Sequence, residues 1–144
     1  MLRSTKFRLA ISALVVVVAT IAVYLFFFRE PEPVPFVQVT GVVLDKQGRP
    51  VKGAGVNFWP SGGGRWPYET SPVGLTNDKG TFVMFITDPY EPGIPPWPRY
   101  QVTINPIGPE AKKVVPHEYN DLFATPLEVE IDRTPSQRIE LRIK

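Results

Sequence analysis

The placement of proline and glycine divides this chain into two parts. All 17 prolines and all 11 glycines lie after Glu30 in the 144-residue sequence. Both residues favour turns and interrupt regular elements. The second part is therefore expected to consist of short elements joined by turns, whereas the first part, which lacks both residues, can form one uninterrupted helix.

Apolar residues recur at period two from Phe36 onward, and turn-forming residues separate the apolar runs. This alternation is typical of strands with one buried face and one solvent-exposed face. Because strands with one apolar face must bury it against a second layer, the pattern predicts an antiparallel β-sandwich. We predict seven strands, at about 37–45, 51–59, 73–76, 81–87, 100–105, 127–132 and 138–144.

The same alternation assigns residues to faces. In the fifth strand it predicts that Tyr100, Val102 and Ile104 point one way and that the polar residues between them point the other way. No segment of this part has a sustained helical period. Residues 110–122 could hold a helical turn, although the prolines nearby limit its length.

The first part of the chain contains an apolar run. Residues 9–28 are 20 residues without a charged side chain. A helix of that length matches a hydrocarbon core of roughly 30 Å. The competing interpretation is a cleaved signal peptide, whose apolar region is usually about 7–15 residues. Cleavage near Thr20 would leave an apolar stub, so we predict an uncleaved transmembrane helix at 9–28.

Charges beside the apolar run predict its orientation. Three cationic residues lie within residues 1–8, which favours a cytoplasmic basic N-terminus. Residues 29–36 contain alternating prolines and are predicted to form an extended linker. The expectation is a single-pass membrane protein that contacts the membrane through residues 9–28. Its domain, residues 37–144, would then be extracytoplasmic, either periplasmic or at the cell surface.

Charge balance and the absence of cysteine exclude several functions. Residues 36–144 contain 12 Lys or Arg and 12 Asp or Glu. A domain with equal numbers of positive and negative side chains has no excess of positive charge to attract polyanions, so no nucleic-acid partner is expected. The absence of cysteine excludes disulfides, thiolate nucleophiles, Cys-type zinc sites and lipid attachment through Cys.

Two segments resemble the carboxypeptidase regulatory-like domain family. They are GVVLDKQGRPVKGA at 41–54 and TNDKGTF at 76–82. The stretches VPHEYN at 115–120 and TPLEV at 125–129 are similar to small secreted or anchored members abundant in planctomycete-type bacteria. The resemblance implies a transthyretin-like sandwich and a non-catalytic accessory role. The expected fold is an all-β, seven-stranded antiparallel Ig-like or transthyretin-like sandwich, preceded by the transmembrane helix.

Residues suited to catalysis or metal binding are scarce. His117 is the only histidine, which excludes sites that need two imidazoles, and we predict that it lies exposed in a loop. The Gly-rich segment 62–65 lacks the Lys-Ser/Thr pair of a phosphate-binding loop, so a flexible loop is expected. Asp45 and Asp78 are interpreted as caps of backbone N–H groups in turns, not as calcium ligands. We therefore predict no enzyme activity, no catalytic residue, no metal and no cofactor.

Aromatic side chains in the loops are the candidate binding residues. If each strand crosses the domain once, the second and fourth connections lie at the same end, which would face the membrane. The aromatics there could form a contact surface, or they could pack on prolines and cap the core. The candidates are Trp59, Trp66, Tyr68, Tyr90, Trp97 and Tyr100.

The expected function follows from these observations. It is a non-enzymatic, membrane-anchored extracytoplasmic module for protein interaction or structural support, with an envelope protein or a glycan as its partner. The alternative is glycan or peptide binding through the loop aromatics, because aromatic rings can stack on sugar faces.

Overall fold

The computed structural model describes residues 2–28, 34–86 and 92–144. The chain divides into two compact units, residues 1–33 and residues 34–144. The first unit contains helix α1, Leu2–Phe27, whose side chains are described from residue 11 onward. Most of the predicted linker, residues 29–33, lies outside the described residues.

The predicted transmembrane helix at 9–28 is wrong. Among the residues that the structure describes, no helix is both long enough and apolar enough to cross a membrane. This finding overturns the expected localisation as a single-pass membrane protein with a cytoplasmic N-terminus and an extracytoplasmic domain.

The second unit is mostly β-structure, and its described residues form two sheets. One sheet has three strands in the order β4-β1-β7, and the other has four in the order β3-β2-β5-β6. All seven strands overlap predicted ones. They are β1 Gln38–Leu44, β2 Ala54–Pro60, β3 Val73–Leu75, β4 Thr81–Val83, β5 Trp97–Pro106, β6 Glu128–Ile131 and β7 Ser136–Arg142.

One strand pair departs from the predicted antiparallel pattern. β1 pairs with β7 in parallel, with Gln38 opposite Ser136 and Leu44 opposite Arg142, whereas the other strand pairs are antiparallel. The reason lies in strand parity. When successive strands run in alternate directions, two odd-numbered strands run the same way and must pair in parallel if they are neighbours.

Two short helical segments connect β5 to β6. Helix α2 is Pro109–Val114, and a 3-10 helix follows at His117–Asn120. Pro109 occupies the start of α2, where its missing N–H costs no hydrogen bond, and Pro116 separates the two segments. The helical turn predicted within residues 110–122 is present.

Buried side chains from both sheets form one hydrophobic cluster. Tyr100, Val102 and Ile104 of β5 are fully buried, as the alternation predicts. Phe58 of β2 belongs to the same cluster, and its ring centroid lies 5.4 Å from that of Tyr100. Complete burial of one large apolar side chain stabilises a fold by about 1.5–3 kcal/mol.

The turn between β1 and β2 is organised by Asp45. Its Oδ1 accepts hydrogen bonds from the backbone N–H groups of Gln47 and Arg49, each at 2.9 Å. Its Oδ2 accepts another from Arg49 Nε at 2.9 Å. The backbone N–H of Arg49, followed by its guanidinium and the N–H of Gln47, holds the pKa of Asp45 below its ordinary value. The predicted capping role of Asp45 is confirmed.

In the turn before β4, the predicted cap is wrong. Asn77, not Asp78, accepts the backbone N–H groups of Lys79 and Thr81 through Oδ1, at 2.9 and 3.1 Å. Asp78 instead forms an ion pair with Lys52, with Nζ and Oδ1 2.9 Å apart. A carboxamide oxygen accepts these bonds as well as a carboxylate does, which leaves the aspartate free for the lysine.

Candidate functional site

The six predicted binding aromatics do not form one surface. Four of them, Trp66, Tyr68, Trp97 and Tyr100, come together at one end of the second unit. Trp59 lies apart from them, on the outer face of β2. Tyr90 lies outside the described residues.

Trp66 is the centre of the four-residue aromatic cluster. Its ring centroid lies 5.0 Å from that of Tyr68, 5.1 Å from that of Trp97 and 6.0 Å from that of Tyr100. Its indole Nε1 donates to the carbonyl oxygen of Thr70 at 3.1 Å. Trp66 and Trp97 are partly buried and pack on the hydrophobic core. These contacts give the cluster a packing role at the end of the two sheets.

Tyr100 anchors the aromatic cluster to the core. Its side chain is fully buried, and its hydroxyl donates to the carbonyl oxygen of Pro95 at 2.8 Å. Burial, with a smaller contribution from Tyr68, raises the pKa of the Tyr100 hydroxyl well above its ordinary value. The hydroxyl is therefore a neutral structural donor and is not available to an external ligand.

The Gly-rich segment 62–64 packs against the same cluster. All three glycines have positive φ, at 66°, 70° and 97°. A Cβ added to Gly63 would lie 2.7 Å from Pro98 Cγ and 3.2 Å from Trp97 Cε2, so the backbone itself covers the indole. The segment is a loop, as predicted, and its backbone conformation is one that only glycine takes up readily.

Trp59 differs from the packed Trp66 and Trp97, because a hydrogen bond fixes its indole nitrogen while part of its ring remains exposed to solvent. Its Nε1 donates to Thr103 Oγ1 on the neighbouring strand β5 at 2.9 Å. Thr103 is only 3% exposed although it points away from the core, whereas Trp59 is 39% exposed. The sheet-facing side of the indole therefore covers Thr103, and part of the remaining indole surface is accessible to solvent.

The strand register shows what surrounds this indole. Gln101 lies opposite Trp59, and Thr103 lies opposite Asn57. Glu128 of β6 lies opposite Gln101 on its other side. We call these five residues, Asn57, Trp59, Gln101, Thr103 and Glu128, the Trp59 face.

Hydrogen bonds and an ion pair hold the polar side chains beside Trp59. Gln101 Nε2 donates to the carbonyl oxygen of Thr125 at 2.9 Å, which leaves the carboxamide oxygen of Gln101 as an acceptor. Arg99 Nε and Glu128 Oε1 are 3.2 Å apart at the margin. An exposed aromatic ring is thus bordered by carboxamides and charged groups, which suits a ligand with both apolar and hydroxyl surfaces.

Sequence reasoning found Trp59 but missed its polar neighbours. The alternation of the fifth strand turns Gln101 and Thr103 away from the core but gives them no further role, and nothing in the sequence analysis singles out Asn57. The sequence does contain this information, because the alternation of side chains along β2 and β5 places these residues and Trp59 on the same face of two adjacent strands. Phe123, whose side chain is 96% exposed in the loop before β6, was also missed.

Among the described residues, no cluster of catalytic or metal-binding side chains lies beside the Trp59 face. His117 is exposed, as predicted, and it lies at the start of the 3-10 helix. The described part of the chain contains no group of three or more His, Asp or Glu residues that could hold a metal ion. What the face offers is contact area and hydrogen bonding.

Comparisons of the chain with protein-family models, with curated proteins and with solved structures found no match. The functional argument for this chain is therefore made from the geometry of its own residues.

Proposed function

We propose that this chain is a non-enzymatic binding module whose Trp59 face binds carbohydrate. The observation that carries the proposal is the hydrogen bond from Trp59 Nε1 to Thr103 Oγ1, made by an indole that stays 39% exposed. A ring that is already held in place loses little conformational freedom when a ligand stacks on it. The bond thus favours binding over simple burial of the tryptophan.

The chemistry around the ring favours a sugar as the ligand. A pyranose has an apolar face of C–H groups that can stack on an indole, and a rim of hydroxyls that both donate and accept hydrogen bonds. Asn57 and Gln101 border Trp59 by register, and carboxamides both donate and accept. A protein partner would be expected to meet a larger continuous apolar patch than one tryptophan provides.

The proposed fold is an Ig-like or transthyretin-like β-sandwich of the carboxypeptidase regulatory-like kind. Two sheets with a shared hydrophobic cluster support a sandwich. Gly48 and Gly80, which belong to the two resembling segments, have positive φ at turns, and this supports the resemblance. Modules of that kind are usually non-catalytic accessories, in keeping with a binding role.

The test is sugar binding by the full chain, first on an array of neutral oligosaccharides and then by titration calorimetry with the strongest hit. Trp59→Ala should reduce affinity at least tenfold, because it removes the stacking surface, and Trp59→Phe should retain part of the binding. Val83→Ala is the matched control, since it removes an exposed apolar side chain from the other sheet and should leave affinity unchanged.

Two results would overturn the proposal. One is the absence of any sugar binding by a folded wild-type chain. The other is sugar binding that Trp59→Ala leaves unchanged. Phe123→Ala tests the extent of the site, because Phe123 lies two residues before Thr125, whose carbonyl accepts the hydrogen bond from Gln101.

A further inference from the structure

A cleft with cationic walls lies at the end of the β2–β5 pair opposite Trp59. It has a volume of about 440 Å³ and is formed by the β1–β2 turn, the end of α2 and the residues that follow β7. The Trp59–Gln101 pair marks one end of the paired strands, and Ala54–Pro106, beside the β1–β2 turn, marks the other. The cleft is thus separate from the Trp59 face, and its role is independent of the proposed function.

The walls of the cleft carry an excess of positive charge. Lys46, Arg49, Lys113 and Lys144 line it, and Asp45 is the acidic side chain among the lining residues. Four positive side chains and one negative side chain leave a net side-chain charge of +3 at the cleft.

The three lysines are free to meet a ligand. Among the described residues, no carboxylate oxygen lies within 4.0 Å of the amino nitrogen of Lys46, Lys113 or Lys144. Arg49, by contrast, is already engaged, because its guanidinium donates to Asp45 Oδ2 and to Gln47 Oε1. The carboxylate of Asp45 already accepts hydrogen bonds from backbone N–H groups of the β1–β2 turn, so it does not compete with a ligand for the lysines.

Backbone hydrogen bonds hold the segments that carry these lysines. The N–H of Lys144 donates to the hydroxyl of buried Tyr119 at 2.8 Å, and the N–H of Ile143 donates to the carbonyl of Leu44 at 2.8 Å. The three bonds to Asp45 fix the turn beside Lys46. Like charges are therefore brought together by the fold, and this arrangement is favourable when an anion lies between them.

We propose that this cleft binds a small organic anion that carries at least two phosphate or sulfate groups. Lysine is a compact point charge suited to such oxyanions, whereas a planar carboxylate is best matched by a free arginine fork, which Arg49 does not offer. The partly exposed Val114 and the exposed Pro116 also line the cleft and provide an apolar surface for a carbon skeleton. The volume is in the range of small-molecule sites and exceeds what one inorganic anion fills.

The experiment is titration calorimetry of the full chain with two probes, inorganic tripolyphosphate and a trisulfated disaccharide. Lys46→Gln and Lys113→Gln should each weaken binding about tenfold, since each removes a charged hydrogen-bond donor. Arg133→Gln is the matched control, because it removes one positive charge at the β6–β7 turn, and its affinity should equal that of the wild type. These residues are exposed, so the variants are expected to fold.

The two probes distinguish the chemical sources. The terminal phosphates of tripolyphosphate gain negative charge near pH 6, so its binding should strengthen between pH 5.5 and 7.5, whereas binding of the sulfated disaccharide should stay constant. Binding of either probe that the two lysine variants weaken supports the site. The proposal is overturned if neither probe binds, if Arg133→Gln weakens binding as much as the lysine variants do, or if citrate binds as tightly as the probes.

Discussion

The indole nitrogen of Trp59 and the hydroxyl oxygen of Thr103 lie 2.9 Å apart on the outer side of the four-stranded sheet. Their strands are adjacent, but the two residues are not directly opposite, because Trp59 faces Gln101 and Thr103 faces Asn57. The indole therefore lies diagonally across β5. This arrangement links the stability of the sheet to the orientation of the proposed sugar-stacking ring.

Replacement of Thr103 by valine should separate the hydrogen bond from the shape of the contact. Thr103→Val keeps the volume but removes the acceptor of the Trp59 N–H, so we expect a loss of about 0.5–1.5 kcal/mol in the free energy of unfolding. Sugar affinity should also fall, because the ring is no longer held. Urea denaturation followed by tryptophan fluorescence measures the first effect. Thr103→Ser is the control, because it keeps the hydroxyl that accepts from Trp59, and it should retain the sugar affinity that Thr103→Val loses.

Tyr100 should make the second unit sensitive to alkali. Burial raises the pKa of its hydroxyl in the folded chain, whereas in the unfolded chain the group ionises near pH 10. Below pH 10 both states keep the proton and stability is unaffected. Above pH 10 the unfolded state alone loses the proton, so stability falls as pH rises.

Urea denaturation of the wild type and of Tyr100→Phe between pH 8 and 11.5 checks this expectation. The variant should be less stable at pH 8 by about 1–2 kcal/mol, because the carbonyl of Pro95 loses its donor. The difference between the two proteins should shrink above pH 10. A constant difference across the whole range would contradict the role given to burial of this hydroxyl.

Two neighbouring glycines provide a matched test of backbone strain and space. Gly62 and Gly63 both have positive φ, but a Cβ at Gly62 meets no atom within 4 Å, whereas a Cβ at Gly63 clashes with Pro98. Gly62→Ala should therefore cost only the conformational penalty, about 1–2 kcal/mol. Gly63→Ala should cost about 1–3 kcal/mol more, because Pro98 and Trp97 must shift. Thermal unfolding of both variants measures the difference, and equal losses would contradict close packing of the glycine segment on Trp97.

Asp45 should contribute to stability at neutral pH and lose that contribution in acid. The N–H groups of its turn and the Arg49 guanidinium lower its pKa in the folded chain. Its stabilising effect is therefore present above the ordinary aspartate pKa of about 4, and it is lost as pH falls through the lower folded value. Melting temperatures between pH 2 and 7 should fall less steeply in Asp45→Asn than in the wild type.

The control for Asp45 is Asp78→Asn, whose carboxylate is 84% exposed and pairs with Lys52 at the surface. Exposed ion pairs contribute little to stability, so this variant should follow the wild-type curve. An Asp78→Asn curve that flattens as much as that of Asp45→Asn would show that the acid response is not specific to the β1–β2 turn.

Much of the second unit could be predicted from the sequence, because burial alternates along its strands. The seven strands and the inward faces of Tyr100, Val102 and Ile104 follow from that period. The start of β5 at Trp97 could not be predicted, since Pro98 and Arg99 break the apolar alternation there. The parallel partner of β1 depends on which strands become neighbours, and local patterns do not contain that information.

The candidate site was harder to predict than the fold. Trp59 and Trp66 are the same residue type in neighbouring stretches, yet one is open on a sheet and the other is packed in a cluster. The difference arises because Trp59 follows inward-facing Phe58 in β2, whereas the position of Trp66 depends on a loop of three glycines. Loop conformation of that kind depends on tertiary contacts and not on composition.

The parallel pairing of β1 with β7 has a consequence during synthesis of the chain. β1 is made roughly a hundred residues before its partner, since Gln38 pairs with Ser136. A nascent chain leaving the ribosome therefore carries β1 with one unsatisfied edge until almost the whole domain has emerged. Completion of the three-stranded sheet must then be a late event, and a chaperone that shields residues 38–44 in the meantime would be expected to raise the yield of folded protein.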